Sequence, residues 1–263
     1  MISIQHFKFN ELESTQKYAV SILGKEEDFD VICISADKLL KEKLKDSEWI
    51  SEDSINNAEN NRKQSDFSST KEPNLAGNDI NCSYVVILSR EMDSLEVTQR
   101  AMVAITETLE EYGIYCKIRW LNDIMLNNEA LGGVFCDIVI VHGVRYLIAG
   151  VNLKKKAIEG GVDVPSMGSP EGYIEVKDSI DRDKLIIDCG RAVCEFFSVD
   201  YHEIIHNYSN RMEYIGMQLY SAGEPLGELV GLGDDGSMHL ISSEGKHLFL
   251  RNQRIEYFVK DLN

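Results

Sequence analysis

Five consecutive residues, Arg119-Trp120-Leu121-Asn122-Asp123, put a guanidinium, an indole, an amide and a carboxylate into one short stretch, and Leu131-Gly132-Gly133-Val134 follows soon after. Groups of these types bind and orient polar or charged ligands, and a glycine pair lets a ligand or another backbone approach closely. The surrounding pattern reads as a β-hairpin. One strand runs from Lys117 to Leu126, the return strand from Ala130 to Ile140, and Asn127-Asn128 are turn residues that tolerate positive φ. Taken alone, the same residues also describe an ordinary packed strand and turn. Their chemistry therefore depends on what the rest of the chain brings to the hairpin.

The elements that must position it follow from periodicity. Met1 to Asn10 alternates like a strand, Ser14 to Leu23 has helical spacing with Ser14 or Thr15 as N-cap, and Asp30 to Ser35 is a short apolar run that fits a buried strand. Glu52 to Asn81 is rich in Ser, Asn, Asp and Glu and poor in large apolar residues. It cannot bury enough surface to offset its ordering entropy, so residues 52–81 are expected to be a disordered insertion between strands. Tyr84 to Leu88 returns to strand pattern, Leu95 to Tyr112 is helical, and Tyr146 to Leu153 is a further strand. Asp181 to Phe197 and His202 to Met212 are helices. From Gln218 the apolar residues alternate, with turn signals at Gly223-Glu224-Pro225, Asp234-Asp235-Gly236 and Ser243-Glu244-Gly245, which indicates a small all-β unit. Segregated strands and helices point to an α+β class.

Composition narrows the function. A chain of 263 residues can bury a full core, and a net charge of −17 argues against a general nucleic-acid binder, which needs clustered Lys and Arg. The six cysteines form no CxxC pair and lie mostly in apolar runs, a pattern suited to a reducing cytoplasm. No secretory signal pattern opens the chain and no apolar run is long enough to span a bilayer. Neither GxGxxG after a strand nor GxxxxGK[ST] occurs, and no HExxH or CxxC metal motif is present.

The hairpin resembles the core of the biotin protein ligases, whose signature is Lys-Trp-Pro-Asn-Asp, a turn, and Lys-Leu-Gly-Gly-Ile. Glu13-Ser14-Thr15-Gln16 is similar to that family's Glu-Ser-Thr-Asn opening, and Ile148-Ala149-Gly150-Val151-Asn152 to its Gly-Ile-Gly-Ile-Asn segment. Gly227 to Phe249 is similar to the small β domain that follows its catalytic domain. The resemblance implies a mixed β-sheet with helices on one face, as in class II synthetases, over residues 1–213, followed by an SH3-like β-barrel over 214–263. It also implies activation of biotin by ATP and Mg²⁺ to biotinyl-AMP, then transfer to a lysine of a biotin carboxyl carrier protein or biotin-dependent carboxylase, with neither nucleic acid nor membrane as partner and with two chains able to pair. Arg119, Asn122 and Asp123 would then be catalytic. Ser14, Thr15, Lys38, Trp120, Gly132, Gly133 and Ala149 would face biotin, and Lys41, Lys43, Trp49, Asn122 and Asn152 the adenylate. No protein-only metal cage is implied.

Two departures bear on that chemistry. Where the family carries a Gly-Arg-Gly-Arg-Arg-Gly-Arg loop, this chain has Lys41-Glu42-Lys43-Leu44-Lys45-Asp46-Ser47, without glycines for positive φ or arginines for bidentate phosphate contacts. The lysine of the Lys-Leu-Gly-Gly motif is Ala130. Loss of a cation that stabilises developing charge costs on the order of 3 kcal/mol. Two functions stay open, a divergent ligase and a non-catalytic relative that binds biotin, a nucleotide or a protein. A lipoate or octanoate transferase is disfavoured by the ligase-like tail.

Overall fold

The computed structural model describes residues 2–25, 29–40, 79–154, 180–221 and 224–251. Among these residues eleven strands and four helices follow one another as β1 (Ile4–Leu12), α1 (Thr15–Ile22), β2 (Val31–Leu39), β3 (Ile80–Ile87), α2 (Ser94–Glu111), β4 (Lys117–Arg119), β5 (Asp123–Leu126), β6 (Glu129–Val141), β7 (Val144–Leu153), α3 (Arg182–Phe196), α4 (Tyr201–Arg211), β8 (Gln218–Ser221), β9 (Glu224–Leu232), β10 (Met238–Ile241) and β11 (His247–Leu250).

Seven strands form one sheet in the order β1-β2-β3-β7-β6-β5-β4. Only β1 and β2 are parallel, so the sheet is mixed. Val31, Cys33, Tyr84, Val86, Leu147, Ala149 and Val134 point to one face and join a core with residues of α2, α3 and α4. Ile32, Ile34, Val85 and Ile148 point to the other, where α1 packs with Ala19, Ile22 and Leu23. Burial on both sides explains why Val31 to Ile34 reads as an unbroken apolar run rather than an alternating one. Among the described residues α2, α3 and α4 thus share one face, and α1 is the helix on the opposite one.

Capping follows the sequence. The Ser14 hydroxyl accepts from the Lys17 amide at 3.3 Å, and the carboxylates of Asp93, Asp181 and Asp200 cap α2, α3 and α4. The buried Arg100 of α2 is fully engaged. It pairs with Glu96 at 2.7 Å and donates to the carbonyls of Phe196 and Val199, both at 2.7 Å, which ties α2 to the end of α3.

A second, antiparallel sheet has the order β11-β10-β9-β8. Leu219, Leu229, Met238, Leu240 and Leu250 belong to the same core as the α2 face of the large sheet. Gln99 of α2 donates to the Gly236 carbonyl at 2.8 Å in a buried contact, and Tyr201 donates to Gln99 at 2.6 Å. Gly236 has φ +77°, and a Cβ there would lie 2.2 Å from the Tyr201 hydroxyl, so both turn geometry and docking require glycine.

Two sequence expectations change. Lys117 to Leu126 is not one strand, because β4 and β5 are separated by a tight turn at 120–122 and pair with each other through Arg119 and Asp123. The disorder expected over 52–81 does not hold at its last residues: Ile80 and Asn81 are buried and part of β3, while 52–78 lies outside the described residues.

Candidate functional site

A single row of cross-strand partners spans the whole large sheet: Phe9, Ala36, Asn81, Asn152, Gly133, Asp123 and Arg119, contributed in order by β1, β2, β3, β7, β6, β5 and β4. Directly opposed residues project from the same face. This is the face that α1 covers in part and that α2, α3 and α4 leave alone. From Asn81 to Arg119 the row crosses four strand gaps, roughly 19 Å at ordinary strand spacing. Its polar members are linked, since the Asn152 amide donates to Asn81 Oδ1 at 2.5 Å and Asn81 in turn donates to the Asp79 carbonyl at 3.2 Å.

The next row on that face is Phe7, Ile34, Ser83, Gly150 and Phe135, and the first turn of α1 sits on it. The Ser83 hydroxyl donates to Thr15 at 2.7 Å, and both side chains are buried. Gln16 lies over Gly150, where a Cβ would come within 2.7 Å of its Nε2, and it donates to the Phe135 carbonyl at 3.4 Å. The glycine at 150 thus lets α1 approach the sheet. Thr15 and Gln16 thus sit on the row next to that of Asn81, Asn152 and Gly133.

At the outer end Arg119 is held by acidic neighbours. Its Nε and a terminal nitrogen donate to Asp123 Oδ2 at 3.0 and 2.6 Å, with both side chains about a quarter to a third exposed. Glu213 also faces this pair. Burial pushes its carboxyl above the usual range against a hydrogen bond from Tyr214 and the fields of Arg119 and Lys117, and Glu213 Oε2 is buried without a hydrogen bond. The Glu213 amide donates to the Ile118 carbonyl at 2.8 Å, which fixes it beside β4.

The other expected residues are not all assembled here. Trp120 is buried in the core on the helix side, edge-on to Tyr208 at 6.1 Å, and Tyr208 donates to the Leu121 carbonyl at 2.6 Å. The Trp120–Leu121 peptide is cis. Asn122 lies in the same turn, and its carbonyl accepts from Val134 N at 3.0 Å. Ala149 is not on the polar face: strand alternation turns it into the α2–α3 core, and its neighbour Gly150 is the residue that meets α1. Lys38 is exposed and paired with Glu11 at 2.8 Å. The glycine pair accommodates backbone: a Cβ at Gly132 would lie 1.9 Å from the Asn152 carbonyl oxygen, and one at Gly133 2.9 Å from that of Asn122. Lys41, Lys43 and Trp49 lie outside the described residues.

The strand register breaks between Ile124 and Met125, where Leu131 is the extra residue: Ile124 pairs with Gly132, but Met125 pairs with Ala130. Leu131 turns into the helix-side core, and Ala130 thereby shares the face of Met125 and Asp123.

Sequence reasoning missed Asn81 and Ser83. The signal was present in Ile80-Asn81-Cys82-Ser83-Tyr84, a strict apolar–polar alternation, but the polar composition just before it masked the start of β3. Among the described residues no three His, Cys, Asp or Glu side chains converge to hold a metal ion, and no helix is long and apolar enough to cross a membrane.

No family model matches the sequence. Solved structures do match the fold. A biotin protein ligase from Aquifex aeolicus aligns with a TM-score of 0.62 at 16% identity, covering 97% of this chain and 99% of that one. The Helicobacter pylori biotin acetyl coenzyme A carboxylase synthetase with bound biotinylated ATP aligns at 0.55 with 18% identity, covering 94% and 99%. A biotin protein ligase-like protein of unknown function from Silicibacter aligns at 0.57 with 10% identity, covering 93% and 94%. The mixed seven-stranded sheet, its helices and the separate four-stranded sheet, matched over nearly the full chain, place this protein on the biotin protein ligase fold.

Proposed function

We propose that the protein is a divergent biotin protein ligase with a catalytic part over 1–213 and a C-terminal β domain over 214–263. In the first step a biotin carboxylate oxygen attacks the α-phosphorus of ATP and displaces pyrophosphate. In the second a lysine amine of a biotin carboxyl carrier protein, or of a carboxylase that contains such a domain, attacks the acyl carbon, releasing AMP and a proton. The observation that carries this reading is the polar row from Asn81 to Arg119 beside the first turn of α1, on the sheet face opposite α2, α3 and α4. Its span of roughly 19 Å at ordinary strand spacing suits a ligand of two joined moieties lying across the strands.

Ser14 and Thr15 are assigned to the uncharged ring end of biotin, with Gly133 giving close backbone access. Asn122, Asp123 and Asn152 are assigned to the phosphate side. A Mg²⁺ ion arriving with ATP takes oxygen ligands and keeps several waters, so it needs at most one or two carboxylates. Asp123 fits that need through the oxygen not engaged by Arg119. The Aquifex aeolicus ligase of this fold is known in complex with biotin and ATP, which supports the choice of ligands. All six cysteines are free thiols, which suits a cytoplasmic protein.

A second reading, a non-catalytic biotin-binding relative, is favoured by one observation: Arg119 is neutralised by Asp123 and faced by Glu213, while position 130 carries no charge. Incubation of the full chain with biotin, ATP, Mg²⁺ and a carrier-domain fragment, followed by intact mass analysis, separates the two. Slow, biotin- and ATP-dependent labelling of the fragment is expected. Biotin binding with no labelling over many hours would leave the binding protein as the answer.

A further inference from the structure

Among the described residues four cations lie on the face of the polar row, three on strands and one just past the end of β7, and they are not equivalent. Lys38 is ion-paired with Glu11 at 2.8 Å, and Arg119 is held by Asp123. Lys117 is exposed on the outermost strand, within the field of Glu213. The fourth is Lys154. It follows the last residue of the central strand β7, its amide still donates to the Leu131 carbonyl at 2.9 Å, and alternation places it on the side of β7 that carries Gly150 and Asn152. Among the described residues its ammonium has no ion-pair partner, although it is only partly exposed. It heads the run Lys154-Lys155-Lys156.

We propose that Lys154 is the binding residue for the carboxylate of the acyl ligand on this face, replacing from the neighbouring strand the charge that Ala130 lacks. The geometry supports this in two ways. The backbone bond from Lys154 to Leu131 sets the end of β7 directly beside the bulge, and the same bulge turns Ala130 onto the face of the polar row, so positions 130 and 154 flank one spot beside Gly133 and Asn152 in the middle of that row. Second, Asn152 lies two residues before Lys154 on the same side of β7, with its amide group already ordered by Asn81. A ligand whose neutral end rests on Ser14 and Thr15, and which runs past Asn152, carries its acid group to Lys154. Lysine suits a carboxylate or one phosphate oxygen as a point charge, without the planar fork of arginine. The site thus selects the free acid over its neutral amide. This inference rests on the proposed biotin site.

The test is calorimetric titration of the full chain with biotin, with biotinamide and with ATP, in wild type, Lys154→Met, Lys154→Arg and the double variant Lys154→Met/Ala130→Lys. Wild type is expected to bind biotin more tightly than biotinamide. Lys154→Met should weaken biotin binding roughly ten- to a hundredfold, the range for a hydrogen bond to a charged group, and should leave biotinamide and ATP unchanged. Lys154→Arg should retain most of the preference, and Ala130→Lys should restore it in the Met background. Equal loss of biotin and biotinamide in Lys154→Met, or a loss confined to ATP, would overturn the assignment while leaving biotin as ligand. Absence of biotin binding in wild type would overturn the site itself and this assignment with it.

Discussion

Asp123 decides what Arg119 can contribute. A guanidinium that donates twice to one carboxylate oxygen and faces a second acid cannot present a full positive charge to a ligand. Glu213 records the same crowding from the acidic side. Because burial raises its folded-state pKa above the unfolded value, the penalty is absent below the unfolded pKa, grows as pH rises through the window between the two, and is fully present above the folded one. Glu213→Gln should therefore stabilise the protein at pH 7, and the gain should shrink toward pH 4 in urea denaturation. A gain independent of pH would contradict the assignment. The Ser83–Thr15 bond gives a second prediction. Thr15→Val leaves a buried hydroxyl without its acceptor and should cost about 1–3 kcal/mol, whereas Thr15→Val with Ser83→Ala should cost less than the sum of the single changes. Strict additivity would mean that the two hydroxyls are not coupled.

At the level of elements, legibility depended on whether a signal was local. Asn127 and Asn128 carry φ of +51° and +62°, as two adjacent asparagines between apolar runs suggest. Ser14 caps α1 because cap chemistry needs only three neighbouring residues. The turn at 120–122 was not legible, since it is held by Tyr208, 87 residues away, and by the burial of Trp120 under α4. Ala149 illustrates a phase error. Alternation within Ile148 to Asn152 is plain, but which phase faces α1 is set by the partner strands, and it is Gly150 that does. Lys41, Lys43 and Trp49, expected from the resemblance on the adenylate side, fall outside the described residues. The same close packing makes Gly132 a sharp test of the β6–β7 approach. Gly132→Ala would set a methyl against the Asn152 carbonyl and should cost about 3 kcal/mol or more by denaturation. A loss below about 1 kcal/mol would show that the strands are not this close.

The whole molecule is less divided than its composition suggests. The β8–β11 sheet contributes Leu219, Leu229, Met238 and Leu240 to the core under the large sheet, and Gln99 and Tyr201 close over Gly236. Met212 and Glu213, at the proposed junction, are bound to β4 rather than loose. Heat or urea should accordingly unfold both sheets in one transition, and Gly236→Ala should lower its midpoint without splitting it. Two resolved transitions in calorimetry, with early proteolytic cleavage between 208 and 216, would mean that the second sheet is an independent unit. On this scale the sheet face that carries the polar row is proposed as the functional surface, with the helical face as its support. The most direct measurement of that claim is isothermal titration of the unmodified full-length protein with biotin, repeated with ATP and Mg²⁺ present. A saturable one-to-one binding signal for biotin that strengthens when ATP and Mg²⁺ are added is the predicted result, and a complete absence of biotin binding in both titrations would contradict it.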